Sequence, residues 1–182
     1  MAKKLEIGGG LKNRKDEGYL QMDMKKLPGI DVVGDANELP FEDGELDEIY
    51  GHWVLEHFAY RDIKSLLKEW HRALKPGGMV HMVTNNGTAH LKAYEDGVID
   101  IHELNRMIFG VACERAAMKT PDQPEHYTEF KIEDLHKIFW TKELVEHFFT
   151  PVFSQVDIFE TWKHREDNGD FKCPGIVIKA WK

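Results

Sequence analysis

Cysteine is scarce in this chain. Only Cys113 and Cys173 are present, far apart, and neither belongs to a C-x-x-C pair. That spacing gives no sign of a structural zinc site, and the simplest expectation is a cytoplasmic protein with free thiols. Long apolar runs are also missing. No stretch approaches the ~18 apolar residues that a membrane-spanning helix needs. The opening MAKKLEIGG has neither an apolar core segment nor a cleavage-like site, so no signal peptide is expected. Positive charge is short as well: 24 Lys and Arg against 32 Asp and Glu give a formal net charge of -8. Such a balance disfavours nonspecific binding of nucleic acid through a basic face, although a local basic patch stays open. Internal repeats and low-complexity tracts are absent. What remains is an ordinary composition, 42% hydrophobic and 31% charged over 182 residues, enough for one domain with a real core and a well-solvated surface.

The stretch on which the chain is organised is KLEIGGG, Lys4 to Gly10. Leu5 to Ile7 reads as a short buried strand that runs into three glycines. Glycine takes positive φ at little steric cost and lets a ligand approach the backbone closely. Strands ending in glycines at the carboxyl edge of a parallel sheet commonly face a nucleotide-like ligand. Taken alone, the cluster reads equally well as a plain turn after an edge strand.

Further along, Leu11 to Gly18 is polar and leaves room for a very short helix only. Tyr19 to Asp23 reads as a second strand ending in an acid. Ile30 to Val33 is a third, followed by Gly34-Asp35-Ala36, so another acid sits just past a strand end. Leu46 to Tyr50 is a fourth, and His52 to Phe58 opens a short helix. Ile63, Leu66, Leu67, Trp70 and Leu74 recur at helical spacing, with Asp62 as N-cap, and Lys75-Pro76-Gly77-Gly78 ends that helix with a glycine C-cap. Met79 to Val83 is a fifth strand. Ile101 to Phe109 looks helical with Asp100 as cap, and 111–130 reads as an irregular excursion. Thr141 caps a helix to Phe149 that shows Leu144, Val145 and Phe148 on one face. Val156 to Phe159 and Ile176 to Trp181 are two last strands, joined by a polar connection that suits an antiparallel hairpin. The pattern predicts one α/β domain over 1–182: a Rossmann-like, doubly wound sheet of about seven strands, mostly parallel, with an antiparallel C-terminal hairpin. Residues 86–140 form a less regular insertion, a lid or substrate region.

Five features stand in order: LEIGGG (5–10), the strand-end acid Asp23, GDANELPF (34–41), LDEIYGHWVLEHF (46–58) and LKPGG (74–78). Together they resemble the small class I S-adenosylmethionine (SAM)-dependent methyltransferases of the type-11 kind, over roughly residues 3 to 84. HELNRMIFG with HKIFWTKELV further resembles an uncharacterised subgroup and implies no substrate. The resemblance implies a SAM site and S-adenosylhomocysteine (SAH) as product. Gly8, Gly9 and Gly10 would pass close to the methionyl and ribose portions. Glu6 would sit near the SAM ammonium or support the glycine loop. Asp23 would accept from the ribose hydroxyls, Met24 pack on the adenine, and Asp35, with Ala36 beside it, accept from the adenine amino group. Gly51 and His52 would flank the methionyl chain. Helix capping or a solvated loop is the rival role for both acids, and plain packing for Met24. The glycines depart from the usual G-x-G-x-G followed by a helix, so the carboxylate end lacks helix amides and would turn to Lys12 or Arg14. Many relatives carry a helical N-terminal extension that closes over the substrate, whereas this sequence begins at the first strand, so a lid is expected from 86–140 or from another subunit.

If the acceptor must lose a proton, the histidines are the candidate bases: His52 and His57 after the fourth strand, and His126 or His136, beside Tyr127, in the insertion. Surface or capping roles compete for each. His52, Glu56 and His57 form H-x-x-x-E-H; of the E-x-x-E-H metal pattern of some O-methyltransferases, Glu56 and His57 match, but Trp53 stands where its first glutamate would be, so no metal is expected. Trp53, Trp70, Phe139, Trp140, Phe148 and Phe149 line either a substrate site or a core or subunit interface. A domain with so few covering elements has reason to form a homodimer. The expected function is methyl transfer to a small-molecule acceptor. The alternative is a non-catalytic SAM-binding or interaction module with the same fold. A nicotinamide dehydrogenase would need G-x-G-x-x-G and a helix directly after the first strand, which Leu11 to Gly18 does not supply.

Overall fold

A computed structural model describes residues 2–8, 14–110, 135–162 and 173–182. Its strands are β1 (Lys4–Ile7), β2 (Tyr19–Asp23), β3 (Val32–Val33), β4 (Leu46–His52), β5 (Leu74–Asn85), β6 (Gln155–Glu160) and β7 (Gly175–Trp181). The helices are α1 (Ile63–Ala73), α2 (Gly87–Glu95), α3 (Ile101–Phe109) and α4 (Lys142–Phe149). All seven strands join one sheet in the order β3-β2-β1-β4-β5-β7-β6. Neighbours from β3 to β5 run parallel, while β7 pairs antiparallel with both β5 and β6. The expected seven-stranded, mostly parallel α/β sheet with its antiparallel end is therefore what forms. Among the described residues, no helix is long and apolar enough to cross a membrane.

Strand periodicity of two sorts the side chains by face. The register aligns Leu5 with Leu20 and Ile49, and Ile7 with Met22 and Gly51. These positions, with Val80, Met82, Ile176, Ile178 and Ala180, join one apolar core with α1 and α4. In α1 the residues at helical spacing, Ile63, Leu66, Leu67 and Trp70, are fully buried. In α4, Val145 and Phe149 are the buried pair, and Thr141 caps the helix by accepting from Leu144 N at 3.3 Å. The alternate rows are polar and aromatic. Glu6 aligns with Gln21 and Tyr50, and Tyr50 with His81. Arg14 lies 4.1 Å over the Tyr50 ring, so a cation–aromatic contact covers part of that row.

Several local expectations change. β3 starts at Val32, because Ile30 N–H donates to Leu27 O and closes a turn first. The segment after β4 is a single 3-10 turn, Leu55–His57, and another, Tyr60–Asp62, leads into α1, where the Asp62 side chain makes no capping bond. Helix α1 ends on extended Leu74 instead of a glycine cap. Gly77, at φ 76, turns the chain three residues later. Helix α2 was not expected. Its buried positions are mostly small, Gly87, Ala89 and Ala93 with His90, so the apolar stripe is faint. Asn86 caps it by accepting from Ala89 N at 3.2 Å. Asp100 and Glu103 form a reciprocal capping box on α3. Helices α2 and α3 pack together through Ala93, Ile99 and Leu104. The excursion expected over 111–130 lies outside the described residues.

Trp70 ties the layers together: it is fully buried, and its Nε1–H donates to Ala36 O at 3.0 Å. Trp70→Ala is expected to cost about 3–5 kcal/mol in urea unfolding. A loss under about 1 kcal/mol would show that the helix layer does not depend on this anchor.

Candidate functional site

The strand order reverses between β1 and β4, and in an open α/β sheet the crevice at such a switch, outside the carboxyl ends, is where ligands settle. The register brings the sequence candidates to that edge. Ile7 pairs with Met22 and Gly51, so Gly8, Asp23 and His52 come next in line. Gly8 N–H donates to Met22 O at 2.9 Å, and Gly34 N–H to Asp23 O at 3.1 Å, which carries the row on to Asp35. Gly9 and Gly10 lie outside the described residues, as do Lys12 and His126.

Two glycines in this row are demanded by packing. A Cβ on Gly8 would stand 2.7 Å from Val54 Cγ2, and one on Gly51 would stand 2.6 Å from Val54 Cγ1. Val54 fills the notch that both leave open. Gly8 also sits at φ 69, where a side chain is strained. The chain enters this wedge through Trp53, which among the described residues is alone in having positive φ (55°) without being glycine, and whose N–H donates to Val83 O at 2.8 Å. Strain of this kind persists only where the surroundings enforce it, and it concentrates at functional edges.

Glu6 is buried, and its Oε2 accepts from Arg14 N at 2.7 Å. Of its two expected roles, this contact supports the loop brace. Arg14 holds Glu17 at 2.6 Å and donates to the Tyr50 hydroxyl at 3.1 Å. Asp23 is half-buried and accepts from Lys25 N at 2.8 Å. Asp35 is exposed and accepts from both Asn37 N and Nδ2 at 2.8 Å. Each acid therefore shapes its own turn while standing at the edge. Met24 is 65% exposed and Ala36 is buried, so the pair is split between solvent and core. His52 is exposed at the end of β4, with its ring edge on Trp53 at 5.6 Å. Desolvation, then the Arg14 charge, hold its imidazole below the ordinary value, towards the neutral form that can accept a proton.

A second polar group lies further along the same edge, where β4 and β5 end. Glu56 is fully buried. Thr84 Oγ1–H donates to its Oε2 at 2.9 Å, while Oε1 has no hydrogen-bond partner. Burial pushes this carboxyl up to about 7. The Glu56 carbonyl accepts from Lys137 N at 2.7 Å and Ile138 N at 3.3 Å, which fastens the chain before α4 to the turn after β4. His57 and His136, two of the candidate bases, meet there with ring centroids 5.1 Å apart. Burial lowers His136. Sequence reasoning missed the neighbours of this group. Asn85 Oδ1 accepts from Trp140 N at 2.9 Å, His90 is fully buried, and Cys173 Sγ lies 3.9 Å from His90 Nε2. Burial, with the Glu56 charge second, pushes that thiol up to about 11, so it stays protonated. The one signal available was the run Thr84-Asn85-Asn86, polar where a buried strand should be apolar.

The methyltransferase domain family model matches residues 12–82. A demethylmenaquinone methyltransferase of Staphylococcus epidermidis is 40% identical over 68 residues, covering 35% of this chain and 27% of that one. The chain thus spans about a quarter of the length of the curated relatives it matches. A SAM-dependent methyltransferase from Archaeoglobus fulgidus superposes with TM-score 0.64 at 16% identity, covering 100% of this chain and 86% of the other. The phosphoethanolamine N-methyltransferase 2 of Haemonchus contortus, in complex with SAM, gives TM-score 0.52 at 15% identity over 88% of this chain and 35% of that one. The chain has the class I SAM-dependent methyltransferase fold, and the resemblance carried by its motifs holds.

Gly18, at φ 81, has open space where a Cβ would go. Gly18→Ala should therefore cost only the left-handed backbone penalty, about 1–2 kcal/mol. Gly8→Ala should cost more, by about 1–3 kcal/mol of overpacking, and adding Val54→Ala should return part of that excess. Equal losses for the two glycines, measured by denaturant unfolding, would remove the wedge from the account.

Proposed function

We propose that the chain is a SAM-dependent methyltransferase, placed in the cytoplasm, that methylates a small-molecule acceptor and releases SAH. The observation that carries this reading is the row of Gly8, Asp23, Asp35 and His52 along the carboxyl ends beside the β1–β4 switch. SAM, when bound, supplies a methyl group on an already activated sulfonium, so much of the chain's work is positioning. Asp23 would accept from the ribose hydroxyls, since a carboxylate has two oxygens and its Oδ1 bond to Lys25 N leaves further accepting capacity. Asp35 would accept from the adenine amino group. Gly8, Gly9 and Gly10 would carry the backbone past the methionyl and ribose portions, and Gly51 and His52 would close the other side. His52, partly desolvated, would take a proton from an acceptor that must lose one. The name of the Staphylococcus relative supports a small acceptor and makes demethylmenaquinone a sensible member of a first panel.

The non-catalytic reading is favoured by one specific observation: Asp23 and Asp35 each already serve a local turn, which explains an acid at both places with no ligand. Isothermal titration separates the two. The account expects one SAM and one SAH site per chain, weakened at least about tenfold in Asp23→Ala and in Asp35→Ala. Wild-type affinity in folded variants would contradict the placement. A folded wild-type chain that binds neither compound, or binds without turnover on any acceptor, would put the binding module first.

A further inference from the structure

The fold brings Glu56, His57 and His136 to one point, each offering a donor atom, with those atoms all within 4.8 Å of one another. Two come from the 3-10 turn after β4. The third comes from the segment before α4, which the Glu56 carbonyl holds in place by accepting from Lys137 N and Ile138 N. We propose that these three side chains bind a divalent transition-metal ion, with Zn2+ best suited to the donor set. This proposal does not depend on methyl transfer.

Three features point to a cation. The first is the buried carboxylate. Glu56 is wholly withdrawn from solvent, one of its oxygens is held by Thr84, and the other has no hydrogen-bond donor. A buried acceptor without a donor is costly, and a bound cation is one of the few partners that repays it. The second is the orientation of the imidazoles. His57 Nδ1 lies 3.3 Å from Leu135 O and His136 Nδ1 lies 3.2 Å from Met107 O. A carbonyl only accepts, so both contacts assign the proton to Nδ1 and give Nε2 the lone pair. Metal-bound histidines are oriented in this way, with the second ring nitrogen donating to a carbonyl or carboxylate. The third is the donor chemistry. Two imidazoles and one carboxylate suit Zn2+, and three protein ligands leave a fourth position for water or for an oxygen of a small molecule. Bonds of about 2.0–2.1 Å would hold tetrahedral donors ~3.3 Å apart, so donors that now lie within 4.8 Å of one another must draw together on binding. The expectation of no metal rested on Trp53 standing where a glutamate ligand belongs. His136 supplies a third donor from elsewhere in the chain.

The test titrates chelator-stripped protein with Zn2+ by calorimetry and with Co2+ by visible absorption. His136→Ala, His57→Ala and Glu56→Gln are run beside it, each checked for folding by circular dichroism. His102→Ala and His147→Ala serve as controls outside the site. One ion per chain is expected, with a Co2+ absorption of the intensity of a four- or five-coordinate site. Affinity should fall at least about tenfold in each of the three variants and stay unchanged in both controls. No stoichiometric uptake by folded wild-type protein would overturn the proposal, as would wild-type affinity in the three variants. Should a variant not fold, the wild-type protein decides alone through its histidine ring resonances. Zn2+ must shift those of His57 and His136, and shifts confined to other histidines would overturn the assignment.

Discussion

Val54 seated between Gly8 and Gly51 is the contact on which the working edge of this molecule depends. Gly51 stands opposite Ile7 near the end of β4, and Gly8 follows just past β1; neither carries a side chain, so the turn after β4 can fold down onto the end of β1. From that single close approach the rest follows. Trp53 is forced into left-handed backbone, His52 is left facing solvent, and the 3-10 turn Leu55–His57 is aimed so that Glu56 drops beneath Thr84. The same turn then receives the chain ahead of α4 through the Glu56 carbonyl. A larger residue at either glycine would separate β1 from the turn and loosen both polar groups at once.

The edge carries two chemically different neighbourhoods on one scaffold. Along β1, β2 and β3 the groups are carboxylates in tight turns, suited to hydrogen-bond an extended polar ligand. At the ends of β4 and β5 they are a buried carboxylate held by Thr84 and two imidazoles in contact with each other, suited to a compact charge. The central parallel strands set the distance between them, and the apolar layer of α1 and α4 beneath keeps that distance fixed. Helices α2 and α3 extend from β5 over the second neighbourhood, with Met107 O and Phe109 O both bonding to His136.

Much of the fold was legible because it depends on local signals. The α1 stripe of Ile63, Leu66, Leu67 and Trp70, the Thr141 cap and the Asp100 cap are short-range patterns, and the strand order follows once the motifs resemble a known fold. Helix α2 was hidden because alanine, glycine and histidine supply its buried face, which leaves little hydrophobic contrast. The candidate site was legible as a set of strand ends and illegible as a set of contacts. Nothing in the sequence says that Gly51 answers to Val54, that Glu6 braces Arg14, or that His136 comes to lie beside His57. Those are long-range pairings, fixed by packing and not by spacing. Glu56 is the sharpest case: its place in the motif was plain, but its burial was not, and the burial is what gives it chemistry.

The central claim is that one ligand lies along the carboxyl edge across the β1–β4 switch. Its most direct test is the amide spectrum of 15N-labelled protein titrated with SAH. The account predicts the largest shifts at Gly8, Met24, Ala36 and His52, spread over three strand ends, with α1 and β6 quiet. Shifts confined to α4 and β6, or none at millimolar SAH in a folded sample, would contradict it.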